Sequence, residues 1–242
     1  MFPYLRKNGK SERSCFLSAA TILLFSFILW SLTYSNAAAA SQSNVDVMLT
    51  IDKSESMDLN GFLEPAKQTA SQFVYQMQNG DQVGVVSFNA SAYLDFGLTQ
   101  ITEGSSIKDD AKTAIDDIEA SDRSTSIGEA LLKAQSELLT KGGSIQQVII
   151  LFSDGQDTTN FPPLFQDLPG IEAVVPRIAA TATKIHTVAV GAGADQTTMQ
   201  KIASETGRAS HFASSEADVA GVLTRGEEGC QVRGRGVGVV AA

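Results

Sequence analysis

Short apolar runs alternate with longer amphipathic stretches from residue 45 onward. Short β-branched runs are typical of strands buried in a parallel sheet, whereas apolar residues spaced by three or four are typical of helices. The runs predict strands at 45–51, 83–88, 92–98, 148–152, 185–190 and 209–212. The spacing predicts helices over 61–78, 107–118, 127–139, 197–206 and 216–223.

This order of elements predicts an α/β fold of the doubly wound, Rossmann-like kind. We expect a mostly parallel six-stranded sheet, with helices on both faces and one antiparallel edge strand, because strands separated by helices need right-handed crossovers. The antiparallel strand is 92–98, which follows 83–88 closely enough to pair with it as a hairpin. Binding sites of such sheets lie beyond the carboxyl ends of the strands, where the strand order reverses.

The first 40 residues differ from the rest of the chain. A basic start precedes an apolar run over 16–32, and small residues follow at 37–40. This is the pattern of a signal peptide, although the run could also serve as an N-terminal membrane anchor. We expect residues 1–40 to be this leader, residues 41–225 to be one exported domain, and residues 226–242 to be a disordered, Gly-rich tail. The domain is then extracytoplasmic, secreted or anchored.

Charge and cysteine content narrow the classes of function. The net charge is −9 over 242 residues, and without the first 40 residues 14 basic and 26 acidic side chains remain, a net of −12. A chain so acidic is a poor nucleic-acid binder, because a phosphate backbone must be met by Lys and Arg. Cys15 lies in the leader and Cys230 in the tail, so we expect neither a disulfide framework nor a cysteine-based metal site.

A polar motif follows the first predicted strand. Asp52, Ser54 and Ser56 alternate, so in an extended or turning segment they can converge on one side. They offer one carboxylate and two hydroxyls, which are hard oxygen donors suited to Mg²⁺ and unsuited to zinc. Three such residues can arise by chance, and Asp52 or Ser56 could equally cap a following helix.

Two later positions strengthen the prediction of a metal site. Thr125 lies in a polar loop just before the predicted helix 127–139, and Asp154 follows the apolar strand 148–152. Together with the first motif they supply three hydroxyls and two carboxylates at one edge of the sheet.

The five positions resemble the metal-ion-dependent adhesion site of the von Willebrand factor type A family, also called the integrin I-like fold. That site has the pattern Asp-x-Ser-x-Ser, a distant Thr and a later Asp, which match Asp52, Ser54, Ser56, Thr125 and Asp154. The resemblance runs from about residue 45 to 223. It implies a bound Mg²⁺, which Mn²⁺ or Ca²⁺ could replace. It also implies a protein partner that presents an Asp or Glu carboxylate, with no catalysis.

Two departures from the family pattern lie beside these residues. Glu55 stands where many members carry a small residue, and Arg123-Ser124 stands where many carry a Gly-Gly pair. We expect both departures to affect the choice of partner more than metal binding. The partner itself and the oligomeric state are left open, and partner choice is assigned to the loops 53–58, 121–124 and 156–167, the last of which includes the apolar stretch 161–165.

Two other functions are considered. A Mg²⁺-dependent hydrolase would need a base, but His186 and His211 lie within or beside apolar strands and are expected to be structural. The Gly191-Ala-Gly193 stretch lacks the full fingerprint of a nucleotide loop. The second alternative is a membrane-anchored scaffold subunit of an envelope or pilus-type assembly, which a retained anchor at 16–32 would favour.

Overall fold

A computed structural model describes residues 44–144, 146–158 and 170–213 of the chain. The strands are β1 (Val45–Asp52), β2 (Gln82–Phe88), β3 (Ala92–Gln100), β4 (Gln146–Ser153), β5 (Lys184–Val190) and β6 (Ser210–Ala213). The helices are α1 (Glu55–Leu59), α2 (Leu63–Gln76), α3 (Ile107–Asp116), α4 (Ile127–Lys141), α5 (Ile171–Ala179) and α6 (Gln196–Glu205).

The six strands form one sheet in the order β3-β2-β1-β4-β5-β6. Only β3 runs antiparallel, pairing with β2 at the edge of the sheet, so the predicted fold class and its hairpin are confirmed. The chain leaves β1 toward β2 and β3, then crosses to the other side of β1 with β4. The strand order therefore reverses between β1 and β4, which is where a sheet of this kind forms a binding crevice.

The central strands are buried on both faces, which explains their unbroken apolar character. All eight residues of β1 are buried, and its side chains alternate between two cores. Val47, Leu49 and Ile51 pack in the core beneath α2 and α3. Met48 faces the second core, to which α4, α5 and α6 contribute. This two-sided burial fixes the direction of β1, and therefore of the loop that follows it.

Two helices were absent from the sequence prediction, and that part of it was wrong. Helix α1 has five residues and buries only Met57, so its pattern is too short to show a period. Helix α5 contains Pro176, which removes a backbone donor and disguises the apolar spacing of its neighbours. The ends of the other described helices and strands differ by at most two residues from those predicted.

Several sequence predictions lie outside the described residues. They concern the leader, the apolar run 16–32, the segment 161–165, the helix 216–223 and the tail 226–242. Among the helices that the structure does describe, none combines the length and the apolar character needed to cross a membrane.

Candidate metal centre

The strand ends of β1 and β4 bring the predicted site residues together. Ile51 of β1 lies opposite Phe152 of β4, so Asp52 and the Ser153-Asp154 pair leave the sheet side by side. Residues so distant in sequence meet because parallel neighbours end at the same edge. The predicted convergence of the first motif with Asp154 is thus present in the structure.

Asp52 is fully buried at this edge. One carboxylate oxygen accepts a hydrogen bond from the backbone N–H of Ser54 at 2.9 Å, and the other accepts from Ser153 Oγ at 2.7 Å. Burial raises the pKa of Asp52 to about 6, the bonds from Ser153 and Ser54 lower it, and the nearby charge of Asp154 raises it. The carboxylate is therefore held in place but poorly compensated as an anion.

Hydroxyl groups connect the first motif to Asp154. Ser54 Oγ lies 3.1 Å from Ser56 Oγ, and Ser56 Oγ donates to Asp154 Oδ2 at 2.7 Å. Ser54 is the residue before α1, but its side chain makes no capping bond, and Ser56 lies inside the helix. Helix capping therefore does not explain either hydroxyl, since both point toward the carboxylates.

A tight turn fixes Asp154 after β4. Gly155 has φ +77°, and a Cβ there would lie 2.9 Å from the backbone oxygen of Asp195. The carbonyl of Asp154 accepts the N–H of Asp195 at 2.8 Å, which ties this turn to the start of α6. Glycine is required because the left-handed conformation and the close backbone approach both exclude a side chain.

Thr125 is buried close to this edge without hydrogen bonding to the other four residues in the described chain. Its N–H donates to Thr158 Oγ1 at 2.7 Å, and its carbonyl accepts the N–H of Thr158 at 3.0 Å. The next residue, Ser126, donates its N–H to the carbonyl of Asn89 at 2.7 Å. The threonine is thus anchored between the segments that follow β2 and β4.

Within the described residues, no cationic side chain forms an ion pair that would balance the two carboxylates. In the parts of the chain that the structure describes, neither Asp52 nor Asp154 forms an ion pair with Lys, Arg or His. Those parts also hold no cluster of three His, Cys, Asp or Glu side chains, so hydroxyls make up most of the donor set. Two carboxylates and three hydroxyls are donors that fit a hard divalent cation.

A charged rim borders the site on the β2 side. Arg123 Nε donates to Glu55 Oε2 at 2.6 Å, although Arg123 is 88% exposed. Backbone bonds hold the two loops together: Glu55 N–H donates to the Asp122 carbonyl at 2.7 Å, and Ser121 N–H to the Lys53 carbonyl at 2.9 Å. The two departures from the family pattern therefore neutralise each other at the rim.

Three residues support the site although this role was not predicted for them, and one of them, Thr158, lies in the loop 156–167 to which partner choice is assigned. Ser153 orients Asp52, and its Oγ also accepts the N–H of Gly155 at 2.9 Å. Asn89 holds the Thr125 segment and, through Nδ2, the carbonyl of Ser121 at 3.0 Å. Thr158 completes the anchor of Thr125. Only Ser153 carried a sequence signal, because it is the last residue of a buried strand and precedes Asp154.

The chain resembles known proteins over this whole region. The family model described as von Willebrand factor type A domain matches residues 46–224. A pig (Sus scrofa) protein, Calcium-activated chloride channel regulator 1, is 31% identical over 178 residues, which are 73% of this chain and 18% of that protein. The chain therefore aligns with less than a fifth of that relative's length.

Solved structures agree with the fold. The structure titled von Willebrand factor type A from Catenulispora acidiphila superposes with a TM-score of 0.62 at 21% identity, covering 74% of this chain and 40% of that one. Proximal thread matrix protein 1 from the mussel byssus, in a form with a zinc-occupied MIDAS motif, gives a TM-score of 0.62 at 24% identity, covering 75% and 44%. At these identities the similarity establishes the architecture of the described domain.

Proposed function

Because this chain belongs to the von Willebrand factor type A domain family, we propose that it is a binding domain with a divalent cation at its carboxyl edge. The cation, Mg²⁺ in the first instance, is held by Asp52, Ser54, Ser56, Thr125 and Asp154. Mn²⁺ or Ca²⁺ could take the same place. The zinc reported for the mussel protein supports a cation at the corresponding motif without selecting Mg²⁺.

One observation carries the proposal, and it is the uncompensated charge of Asp52. This carboxylate is fully buried, its pKa is raised by that burial, and a second carboxylate stands nearby. A buried charge is costly unless it is paired or coordinates a metal. A dication offsets both carboxylates at once, whereas the hydrogen bonds from Ser153 and Ser54 offset only part of the charge on Asp52.

The same donor set explains how a partner would bind. Two carboxylates neutralise a dication, while the neutral hydroxyls leave it able to attract one more anionic oxygen. The family resemblance implies that this oxygen comes from an Asp or Glu of a protein partner. We propose reversible, metal-bridged binding of such a partner, in adhesion or in assembly. The mussel protein, a thread matrix protein of the byssus, supports a role outside the cytoplasm.

Location and domain limits complete the proposal. Residues 1–40 direct export, either as a cleaved signal peptide or as an anchor through 16–32, and residues 41–225 form the binding domain. An anchored form would suit a scaffold subunit of an envelope or pilus-type assembly. Mass spectrometry of the N-terminus of the mature protein distinguishes the cleaved form from the anchored one.

Titration calorimetry of the full chain with MgCl₂, MnCl₂ and CaCl₂ tests the metal site. We expect a single site in the wild type and a roughly thousandfold weaker one in Asp52→Asn, which keeps the size of the side chain but removes its charge. The matched control is Asp58→Asn, an exposed acid in the neighbouring helix α1, which should bind as the wild type does. Equal affinities in Asp52→Asn and the wild type would refute the metal site.

A partner assay tests the bridge separately. Capture of a protein from the native surroundings should be lost with chelator, restored by excess Mg²⁺ and absent with Asp52→Asn. A captured protein that ignores both treatments would overturn metal-bridged binding. A Mg²⁺-dependent hydrolase is the rival, but His186 and His211 share no hydrogen bond with the five donors in the described chain. Metal-dependent turnover that is lost in Asp52→Asn would replace the proposal with catalysis.

A further inference from the structure

A cavity of about 320 Å³ opens beside the candidate metal centre, beyond the end of β5. Asp154 belongs both to the donor set and to the wall of this cavity. Ligand pockets in proteins begin at about 300 Å³, so the space is of the right order for a side chain and not for a large ligand. None of the metal donors other than Asp154 lines it.

The wall of the cavity exposes apolar and polar surface in similar amounts, and part of it is built by a close contact. Phe62, Val190, Ala192 and Ala194 contribute apolar surface. Gly191 has φ +96°, and a Cβ there would lie 2.8 Å from the Phe62 ring. The ring therefore packs directly on the backbone after β5, which holds the aromatic wall in position.

The side-chain amide nitrogens and the carboxylate of the cavity already have hydrogen-bond partners. Asn60 Nδ2 donates to the carbonyl of Ser56 at 2.7 Å, and Gln156 Nε2 donates to the carbonyl of Gly193 at 3.3 Å. The two oxygens of Asp154 accept from Ser56 Oγ and from the N–H of Gln156. None of the nine described residues that line the cavity is basic. An acidic side chain placed here would face the Asp154 carboxylate with no basic side chain among the described lining residues, so burying it would cost free energy. The proposed cation would offset the charge of Asp154, which leaves a basic side chain without an ionic partner.

The opposite side of the metal centre has a different character. The sheet order puts β2 and its neighbours on one side of the β1–β4 site and β5 on the other. The β2 side carries the Glu55–Arg123 pair and Lys53, whose ammonium lies 4.1 Å from the centre of the Tyr93 ring. A bound segment would therefore meet exposed charges on one side of its carboxylate. On the other side it would meet a cavity whose described lining residues include no charged group except the metal donor Asp154.

We infer that this cavity is a subsite for a short uncharged side chain, such as that of valine, from a residue next to the partner's metal-binding Asp or Glu. The inference rests on the proposed function, because the metal–carboxylate contact places the neighbouring residue at the mouth of the cavity. Asp154 belongs both to the metal donor set and to the cavity wall, so it keeps the metal site and the cavity next to each other. The cavity thus supplies specificity beyond the carboxylate itself.

Two glycines allow a matched pair of variants. A Cβ at Gly193, in the cavity wall, meets nothing within 4 Å, so Gly193→Leu adds a bulky side chain to that wall without a backbone clash. Gly143 lies just before β4, at the opposite end of the strands from the cavity. A Cβ there would have its nearest contact, with the Gln82 side chain, at 3.8 Å. Gly143→Leu makes the same substitution in open space away from the cavity, and it controls for general effects of an added leucine.

The probes are short synthetic peptides with a single aspartate in a glycine background, titrated into the isotopically labelled full chain in Mg²⁺ and followed by NMR. The residue before or after the aspartate is glycine, valine, lysine or glutamate. At one of the two positions, before or after the aspartate, we expect the valine peptide to bind roughly tenfold more tightly than the glycine peptide. The lysine and glutamate peptides should gain less affinity than the valine peptide. The amides of Ala192 and Ala194 should shift with the valine peptide and not with the glycine peptide.

The variants and the metal separate the possible outcomes. Gly193→Leu should reduce the valine peptide to the affinity of the glycine peptide and keep metal binding, while Gly143→Leu should behave as the wild type. If Gly193→Leu retains the valine preference, or if valine and glycine peptides bind equally in a Mg²⁺-dependent way, the subsite is wrong and the proposed function stands. If no peptide binds in a Mg²⁺-dependent way, the proposed function fails and the subsite fails with it.

Discussion

The sheet buries two aspartates at the amino ends of its strands, the amino edge, and two at their carboxyl ends, the carboxyl edge. The two pairs differ in their hydrogen-bond partners. At the amino edge, Asp46 accepts the N–H groups of Gly143 and Ser144, both at 2.8 Å, and Asp81 accepts those of Val45 and Gln78 at 3.2 and 2.7 Å. At the carboxyl edge, Asp52 and Asp154 each accept one N–H and one serine hydroxyl. The same strands, β1 and β4, are thus linked at both ends by an acid.

The difference lies in what the donors can do. A backbone N–H can only donate, so the acids at the amino edge are fixed partners of the chain and act as structural caps. A hydroxyl can donate to a carboxylate or turn its lone pairs toward a cation. The hydroxyl-rich carboxyl edge can therefore exchange its internal hydrogen bonds for metal bonds, whereas the amino edge cannot.

The largest expected effect is the loss of metal affinity when the charge of Asp52 is removed. Asp52→Asn should weaken Mg²⁺ or Mn²⁺ binding about a thousandfold, or roughly 4 kcal/mol, because one of two balancing charges is gone. Asp46→Asn, the counterpart at the amino edge, should leave the affinity unchanged. Calorimetry measures both, and equal losses in the two variants would break the comparison between the edges.

The converse variant tests stability at the amino edge. Asp81→Ala leaves the buried N–H of Val45 without its acceptor, so we expect the free energy of unfolding to fall by about 3 kcal/mol. The affinity of the folded protein for Mg²⁺ should not change. Urea denaturation in chelator gives the first quantity and calorimetry the second. The exposed Asp58→Ala is the control and should change the free energy of unfolding by less than about 0.5 kcal/mol.

The fold was predictable because its signals are strong and local. The apolar runs of β1 and β4 are long, unbroken and buried on both faces, and the alternation with helices left few topologies. Helix α5 was missed because Pro176 interrupts its pattern, although three of its neighbours bury their side chains as a helix face requires. Helix α1 was missed because five residues are too few to show a period.

The candidate site was only partly predictable, because its supports come from distant segments. Asp52 and Asp154 each follow an apolar strand, which marks them in the sequence. Asn89 and Thr158, by contrast, hold the Thr125 segment through backbone groups, and no residue type predicts such a contact. The pairing of Glu55 with Arg123 likewise depends on how two loops fold, and was seen only as two separate departures from a pattern.

Acid titration in the absence of metal should reveal two opposing groups. The pKa of Asp52 is raised by burial to about 6, so its stabilising contribution is present below 3.8 and is lost as the pH rises toward 6. The pKa of His186 is lowered to about 4 by burial, then by Arg208 and His211, so its contribution is present above 6.5 and is lost as the pH falls toward 4. Each group changes the free energy of unfolding by up to about 3 kcal/mol. Between pH 4 and 6 the two changes have opposite signs and largely cancel.

Single variants separate the two groups. In chelator, Asp52→Asn should lose stability steeply on acidification from pH 6.5 to 4, because the raised pKa of Asp52 no longer opposes the lowered pKa values of His186 and His211. His186→Gln should instead lose stability as the pH rises from 4 to 6. Urea denaturation across this range measures the slopes. If Asp52→Asn shows the same slope as the wild type, its carboxylate is not the buried acid that the comparison requires.

Ser153 tests whether orientation of Asp52 contributes to metal binding. Ser153→Ala removes the 2.7 Å bond to Asp52 and should weaken Mg²⁺ binding about tenfold, in line with other residues that position a metal ligand. Calorimetry measures the loss, and a Ser153→Thr variant, which retains the hydroxyl, should recover most of it. If threonine and alanine weaken binding equally, the hydroxyl has no positioning role.

The smallest effect concerns the rim. Arg123 is 88% exposed, and its bond to Glu55 spans two loops that backbone hydrogen bonds already join. An exposed ion pair typically contributes well under 1 kcal/mol, so a double-mutant cycle of Glu55→Gln and Arg123→Gln should give a coupling of less than about 0.5 kcal/mol in urea denaturation. With so small a coupling, the pair is available to interact with a partner's charges. Removing the pair should then change the salt dependence of the partner's association rate. A coupling above about 1 kcal/mol would mean that the Glu55–Arg123 pair mainly stabilises the fold. The carboxyl edge would then resemble the amino edge, where the acids have a structural role.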